Sequence, residues 1–195
     1  YYPGYSNASL TPETSESIEV KWAHRVSPTS SVEVAAYQTD IDDAIVNDQF
    51  WIPQNIGRVE SSGAEVTATT RVGEWTLLAN ASYVDARDAS NDLMLNRRAK
   101  KAARIEASRQ YGRYTLSTDV SGQGASWDDA ANTRKIAGYA LWNARARVAL
   151  AHDVELGVSV DNILDKRYET ALNGEGWPAV YNGYREWGRT ASLSI

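Results

Sequence analysis

The chain has 195 residues, a formal net charge of -5 and no cysteine. This mild acidity speaks against the clustered basic face of a nucleic-acid binder, and the missing cysteine excludes a disulfide framework and thiolate metal sites. No apolar run approaches the roughly twenty residues that a membrane-spanning helix needs, whereas spanning strands, which are only half apolar, stay open.

Period-two alternation of apolar and polar residues predicts strands over 17–26, 30–42, 57–72, 75–87, 101–111, 114–125, 136–150, 154–164 and 186–195. In the first of these, Ile18, Val20 and Trp22 alternate with Glu19, Lys21 and Ala23. In the fourth, Trp75, Leu77, Ala79, Ala81 and Tyr83 alternate with Thr76, Leu78, Asn80 and Ser82. Near the end, Val154, Leu156, Val158 and Val160 alternate with Glu155, Gly157, Ser159 and Asp161. Such a pattern gives every strand one apolar and one polar face. The polar positions include Glu33, Glu65, Arg104, Glu106, Asp119, Arg145, Arg147, Glu155 and Asp161. So many charges in a dry core would need a costly set of buried pairs, and a wet or plugged lumen removes the difficulty.

The connections alternate in length. Short ones fall at Ser27-Pro28-Thr29, Gly73-Glu74, Gly112-Arg113 and His152-Asp153, and long ones at 43–56, 88–100, 126–135 and 165–185. Trp75, Tyr111 and Tyr114 lie beside short turns, and Tyr83, Tyr139 and Trp142 nearer the long connections. Short turns on one side, long loops on the other and aromatic girdles at both borders are the pattern of an antiparallel transmembrane β-barrel. Nine strands fit poorly with a closed barrel of even strand number and leave two edges, so the expectation is the C-terminal part of a larger barrel. The start at Tyr1 lacks a signal peptide, which for an envelope protein implies a missing or processed N-terminus.

Four segments carry a family resemblance. They are Leu10-Thr11-Pro12-Glu13-Thr14-Ser15-Glu16-Ser17, Asn55-Ile56-Gly57 through Glu65, Tyr83-Val84-Asp85-Ala86-Arg87-Asp88-Ala89 with Asn96-Arg97-Arg98-Ala99-Lys100, and Asp161-Asn162-Ile163-Leu164-Asp165-Lys166-Arg167-Tyr168-Glu169-Thr170. In this order and spacing they resemble the C-terminal half of TonB-dependent outer-membrane receptors, most closely the subgroup that carries cobalamin (vitamin B12). The resemblance implies a 22-stranded barrel in the outer membrane of a Gram-negative bacterium, of which 1–195 is the last part, with the plug domain and the first strands absent. It implies cobalamin or a related corrinoid as cargo, TonB and the receptor's own plug as protein partners, and outer-membrane lipid around the wall. It implies no cofactor and no enzymatic activity. The same machine with a ferric siderophore or haem as cargo is the alternative, and a structural or adhesive β-sheet protein the alternative of another class. The chain ends on Ser194-Ile195, whereas such barrels usually finish on an aromatic.

Gly57 and Gly63 suit backbone bends where a loop enters the wall, Glu65 then faces the lumen, and Asn162 and Asp165 suit capping at a strand exit. The resemblance implies that Arg97 contacts bound cargo. A guanidinium at the rim, here Arg97 or Arg98, can donate several hydrogen bonds to amides or a phosphate. The competing reading is a rim charge paired to Asp85, Asp88 or Asp92. Trp51 and Asn55 in one loop, with Trp177, Tyr181 and Asn182 in another, are further candidates for cargo contact, since aromatic and amide groups suit a large ring system. Asp40, Asp42 and Asp43, and the pair Asp128 and Asp129, lack calcium-loop spacing and read as solvated charge. His24 and His152 stand alone, and no nucleophile elbow or phosphate loop occurs.

Overall fold

The computed structural model describes residues 6–47, 52–150, 154–172 and 183–195. All regular structure among them is strand, and no helix is long and apolar enough to cross a membrane. The first hairpin joins β1 (Thr14–Ser27) to β2 (Ser30–Asp42). An excursion then forms the small pair β3 (Ile45–Asn47) and β4 (Pro53–Asn55) before the chain returns in β5 (Val59–Val72) and β6 (Trp75–Asp88). A second excursion carries β7 (Leu93–Met94) and leads to β8 (Lys101–Tyr111) and β9 (Tyr114–Gln123). A third holds β10 (Ser126–Trp127) and β11 (Lys135–Ile136) and leads to β12 (Tyr139–Ala149) and β13 (Glu155–Asp161). The last holds β14 (Glu169–Leu172) and β15 (Gly183–Arg185), and the chain finishes in β16 (Thr190–Ser194).

The long strands form one antiparallel sheet in the order β1-β2-β5-β6-β8-β9-β12-β13-β16, with β7 hung on β6. Chain order equals spatial order along this path, as in an up-and-down wall. The wall is open: β1 and β16 each lack an outer neighbour among the described residues. A strand such as β8, with 11 residues, runs about 36 Å, and a tilt near 45° makes it just long enough for an apolar band of about 25 Å.

Register turns the alternation into one continuous face. Val34 pairs with Val66, Val66 with Ala81, Ala81 with Ala103, Ala103 with Gly122 and Gly122 with Ala140. Ile105 pairs with Val120, Val120 with Trp142, and Leu116 with Ala146, which meets Val158 and so Leu193. Among the described residues nothing covers this face: Ile18 is 75% exposed, Ile105 61% and Leu193 69%. An apolar sheet face so large belongs against lipid rather than water.

Two short turns show why glycine sits where it does. Gly73 and Gly112 have φ of 60° and 55°, while Glu74 and Arg113 after them stay at negative φ. A left-handed first turn residue matches the right-handed twist of the flanking strands, and glycine adopts it without penalty. Gly63 differs from the bend expected of it. It lies mid-strand without positive φ, and a Cβ there would sit 2.5 Å from the Tyr37 ring and 2.8 Å from the Tyr83 carbonyl. Its role is close approach of a tyrosine laid over the lumen face. Gly57, at φ 87°, does make the bend.

Other expectations shift as well. The last strand begins at Thr190 rather than 186, because the backbone N–H of Arg189 is taken by the Asp165 carboxylate at 2.9 Å. Tyr139 is no girdle residue: its neighbour Ala140 holds the apolar row, so Tyr139 faces inward and its ring lies 4.2 Å from that of Tyr168. Trp22 and His24 stack on the apolar face at 5.5 Å. His152 lies outside the described residues.

Candidate ligand-binding mouth

The polar face of the wall is held by ion pairs between neighbouring strands. The Asp119 carboxylate, 3% exposed, accepts from Arg145 at 2.9 Å, Asn143 at 2.9 Å and Arg104 at 3.2 Å. Arg145 reaches on to Asp161 at 3.2 Å, and Arg104 to Glu106 at 2.9 Å. The charges therefore bind strand to strand along the lumen wall, and a buried acid is tolerated because several donors meet it. Above this network a recess of about 470 Å³ is lined by Glu65, Thr67, Asn80, Ser82, Arg104 and Leu141. A shallower trough of about 710 Å³ crosses Ala81, Ala103, Gly122 and Ala140 on the opposite, apolar face.

The excursions converge at one end of the wall. Arg87 donates to Asp85 at 2.8 Å and to Asp92 at 3.1 Å, and Lys100 donates to Asp85 at 2.8 Å. Arg97 takes none of the partners expected of it. Its Nε donates to Asp128 at 2.9 Å, and its backbone N–H donates to the Trp127 carbonyl. The Asp128 side chain is 4% exposed and also pairs with Arg134. Its Oδ1 further accepts the backbone N–H of Leu172 at 3.0 Å. One carboxylate thus joins three excursions.

A second tie runs beside it. Asn132 accepts from the Met94 N–H at 2.8 Å and donates to the Met94 carbonyl at 2.9 Å, which imitates one rung of a sheet. Asp129 accepts from the backbone of Thr133 and Arg134 and from the Thr133 hydroxyl. Partial burial pushes its carboxyl up, and the donors from Arg134 and Thr133 outweigh it, so the acid is held below its ordinary range. Asp128 and Asp129 are therefore not solvated charges: one is a hub for arginines and the other a loop cap. Asp40, in turn, accepts from Arg58 at 2.9 Å. No group of residues that could hold a metal ion occurs among those described.

Of the candidate contacts, Arg97 and Arg98 stand exposed at the mouth, and Arg98 has no side-chain partner among the described residues. Asn55 lies in β4 with its amide engaged by backbone: it accepts from the Thr11 N–H at 3.0 Å and donates to the Thr11 carbonyl at 3.0 Å. Trp51, Trp177, Tyr181 and Asn182 lie outside the described residues. Sequence reasoning missed the role of Asp128. Its signal was weak, since its arginines lie 31 and 6 positions away. Asn162 caps as expected, accepting from Lys166 N–H at 2.8 Å and donating to its carbonyl at 2.9 Å.

Comparison with known proteins places this geometry. The family model for the TonB dependent receptor-like β-barrel matches residues 1–163. The vitamin B12 transporter BtuB of Photobacterium profundum is 30% identical over 178 residues, covering 86% of this chain and 29% of that protein. BtuB of Vibrio vulnificus is 29% identical over 197 residues, covering 98% of this chain and 32% of that protein. The crystal structure of the ferric yersiniabactin uptake receptor FyuA from Yersinia pestis superposes with a TM-score of 0.77 at 19% identity, over 93% of this chain and 29% of that one. The chain thus spans about a third of the length of the relatives it matches.

Proposed function

Because the chain belongs to the TonB-dependent receptor β-barrel family, we propose that it forms part of the wall and mouth of an outer-membrane receptor for cobalamin or a related corrinoid. The likeness to two vitamin B12 transporters over nearly the whole chain, excursions included, carries this reading. The mouth suits such a cargo. A corrinoid presents amide carbonyls and a phosphodiester, which are acceptors, and Arg97 and Arg98 stand exposed at the mouth as fork-shaped donors.

In the intact receptor the excursions after β2, β6, β9 and β13 would surround the cargo at the cell surface. The remaining strands would close the barrel at the edges of β1 and β16, and a plug would fill the lumen against the Asp119 network. TonB, drawing on the inner-membrane proton gradient, would then rearrange the plug. Family members of this kind are receptors and transporters, not enzymes.

The test is equilibrium binding to the intact parent protein in detergent. Cyanocobalamin is expected to bind at nanomolar to low micromolar concentration, and ferric chelates to bind far more weakly. A parent that binds a ferric chelate but shows no cobalamin affinity at micromolar concentration overturns the corrinoid assignment in favour of the chelate.

A further inference from the structure

We infer that Asp128 is a positioning residue of the cargo site, one that fixes the Arg97 guanidinium so that its two Nη groups meet an oxygen acceptor on the cargo; the inference rests on the receptor reading above. Three observations lead to it. First, Asp128 is almost wholly buried, yet it lies in a loop at the mouth, where a carboxylate has every opportunity to reach water. A charge kept from water in such a place is stable only because donors replace the solvent. Those donors are Arg97 Nε at 2.9 Å, Arg134, and the Leu172 N–H at 3.0 Å.

Second, Arg97 is gripped twice by one dipeptide. Its N–H donates to the Trp127 carbonyl, and its Nε to the Asp128 carboxylate. Its backbone sits at φ 57°, a left-handed conformation that an arginine does not adopt unless its surroundings hold it there. Asn96, the residue before it, donates to the Asp128 carbonyl at 3.4 Å. A long side chain that normally sweeps many rotamers is thereby restricted before any cargo arrives.

Third, the grip uses the inner nitrogen only. The Arg97 side chain is 43% exposed, and its Nη groups have no hydrogen-bond partner among the described residues. Arg98 carries the same charge one residue away with no such anchor. A guanidinium anchored at Nε presents its remaining donors as a fixed fork, matched to a phosphodiester or a pair of amide carbonyls. Ordering it in advance lowers the entropy lost on binding. Leu172 shares the same carboxylate oxygen as Arg97, so the excursion that follows β13 is set against the same point.

The experiment is a double-mutant cycle on the intact parent receptor, read by equilibrium binding of cyanocobalamin. Asp128→Asn, which keeps shape and one acceptor but loses the charge, is expected to weaken binding roughly ten- to hundredfold. Arg97→Ala is expected to weaken it by a similar factor, and the double variant no further than Arg97→Ala alone. Arg97→Lys, with charge but no fork, is expected to behave like Arg97→Ala. Arg134→Lys, which keeps the second ion pair and leaves the Arg97 anchor, is expected to bind within about threefold of the unmodified receptor.

Several outcomes overturn the inference. One is an Asp128→Asn receptor that binds as tightly as the unmodified one. Another is an Asp128→Asn penalty that persists in full when Arg97 is already alanine, because loop collapse rather than positioning then explains it. A loss on Arg134→Lys as large as that of Asp128→Asn is a third, for the same reason. An unmodified parent that fails to bind cyanocobalamin sinks the corrinoid reading itself, a result distinct from all of these.

Discussion

Asn132 holds Met94 by both of its backbone groups, accepting its N–H at 2.8 Å and donating to its carbonyl at 2.9 Å. A side-chain amide thus stands where a neighbouring strand would otherwise be, and it binds the excursion after β6 to the one after β9. Asn132 itself sits at φ 54°, a conformation in which asparagine is among the more tolerant residues.

Asn132→Ala is expected to separate those two excursions. Met94 is 8% exposed, so its freed N–H and carbonyl would lose their partners with little access to water, at about 1–3 kcal/mol of local stability. Hydrogen exchange of the Met94 amide in the parent protein checks this. Asn132→Gly, which relieves the backbone but also lacks the amide, should exchange as fast as Asn132→Ala. Protection retained in the glycine variant would mean that backbone strain, not the lost pair of hydrogen bonds, governs the effect.

Trp142 lies on the lipid face and donates its indole N–H to the Thr118 hydroxyl at 2.7 Å, and that hydroxyl donates to the Asn143 carbonyl at 2.8 Å. Where no water is at hand, this chain satisfies the indole. Thr118→Val should therefore cost about 1–2 kcal/mol by leaving the N–H unpaired. Thr118→Ser, which keeps the hydroxyl, should cost less than half as much. Urea unfolding of the parent in lipid vesicles measures both, and equal losses for the two variants would contradict the assignment.

The Asp119 network should be sensitive to its centre. Asp119→Ala leaves Arg104 and Arg145 without their shared acceptor. These arginines are 44% and 37% exposed, so the loss is expected at about 1–3 kcal/mol, below that of a fully buried pair. Adding Arg145→Ala should then cost little more, because Asp119 was its main partner. Unfolding midpoints of the single and double variants decide it, and strict additivity would mean that the residues act independently.

Acid should loosen one loop in particular. The Asp129 carboxyl is a stronger acid when folded than its ordinary value of 3.8. A group with a lowered folded value stabilises fully above its unfolded value and loses that contribution as pH falls through the folded one. Exchange protection at the Thr133 and Arg134 amides, corrected for intrinsic rates, should stay level from about pH 7 to about pH 4 and decline below it. Asp129→Asn should abolish the decline. A wild-type profile that stays level down to about pH 2 would show that the cap contributes nothing.

The wall was legible because a two-residue period leaves no choice of face. Once Val34, Val66 and Ala81 are read as outward, pairing carries the assignment to Ala103, Gly122 and Ala140 without further information. The mouth was less legible because its bonds join residues distant in sequence. The acids near Arg97 in sequence are Asp85, Asp88 and Asp92, all within 12 positions, yet its partner lies 31 away. The short pairs within the excursions have too few residues to show any period. Tyr139 misled for a different reason: it sits at a strand end as a girdle residue would, and only register with Gln123 reveals which way it turns. Asp129 was recoverable, since an acid followed by Thr133 and Arg134 in a short loop fits a local cap.

The difference between the two rims of the wall also decides where the chain tolerates new sequence. At Gly73-Glu74 two residues fix the register of β5 against β6, so a single inserted residue there has to be absorbed as a bulge or it slips the strand by one. A slip would turn Leu77, Ala79 and Ala81 into the lumen and bring Asn80 and Ser82 out to lipid. At Ala130-Ala131, between Asp129 and its partners, the neighbouring strands keep their pairing whatever length is added, because no ladder of the main sheet runs through the loop. A peptide tag spliced at that point should be displayed at the cell surface of the assembled parent, and the same tag at Gly73 should prevent assembly. The rim that carries the long excursions is thus also the one at which descent can lengthen, shorten or exchange segments without rebuilding the wall.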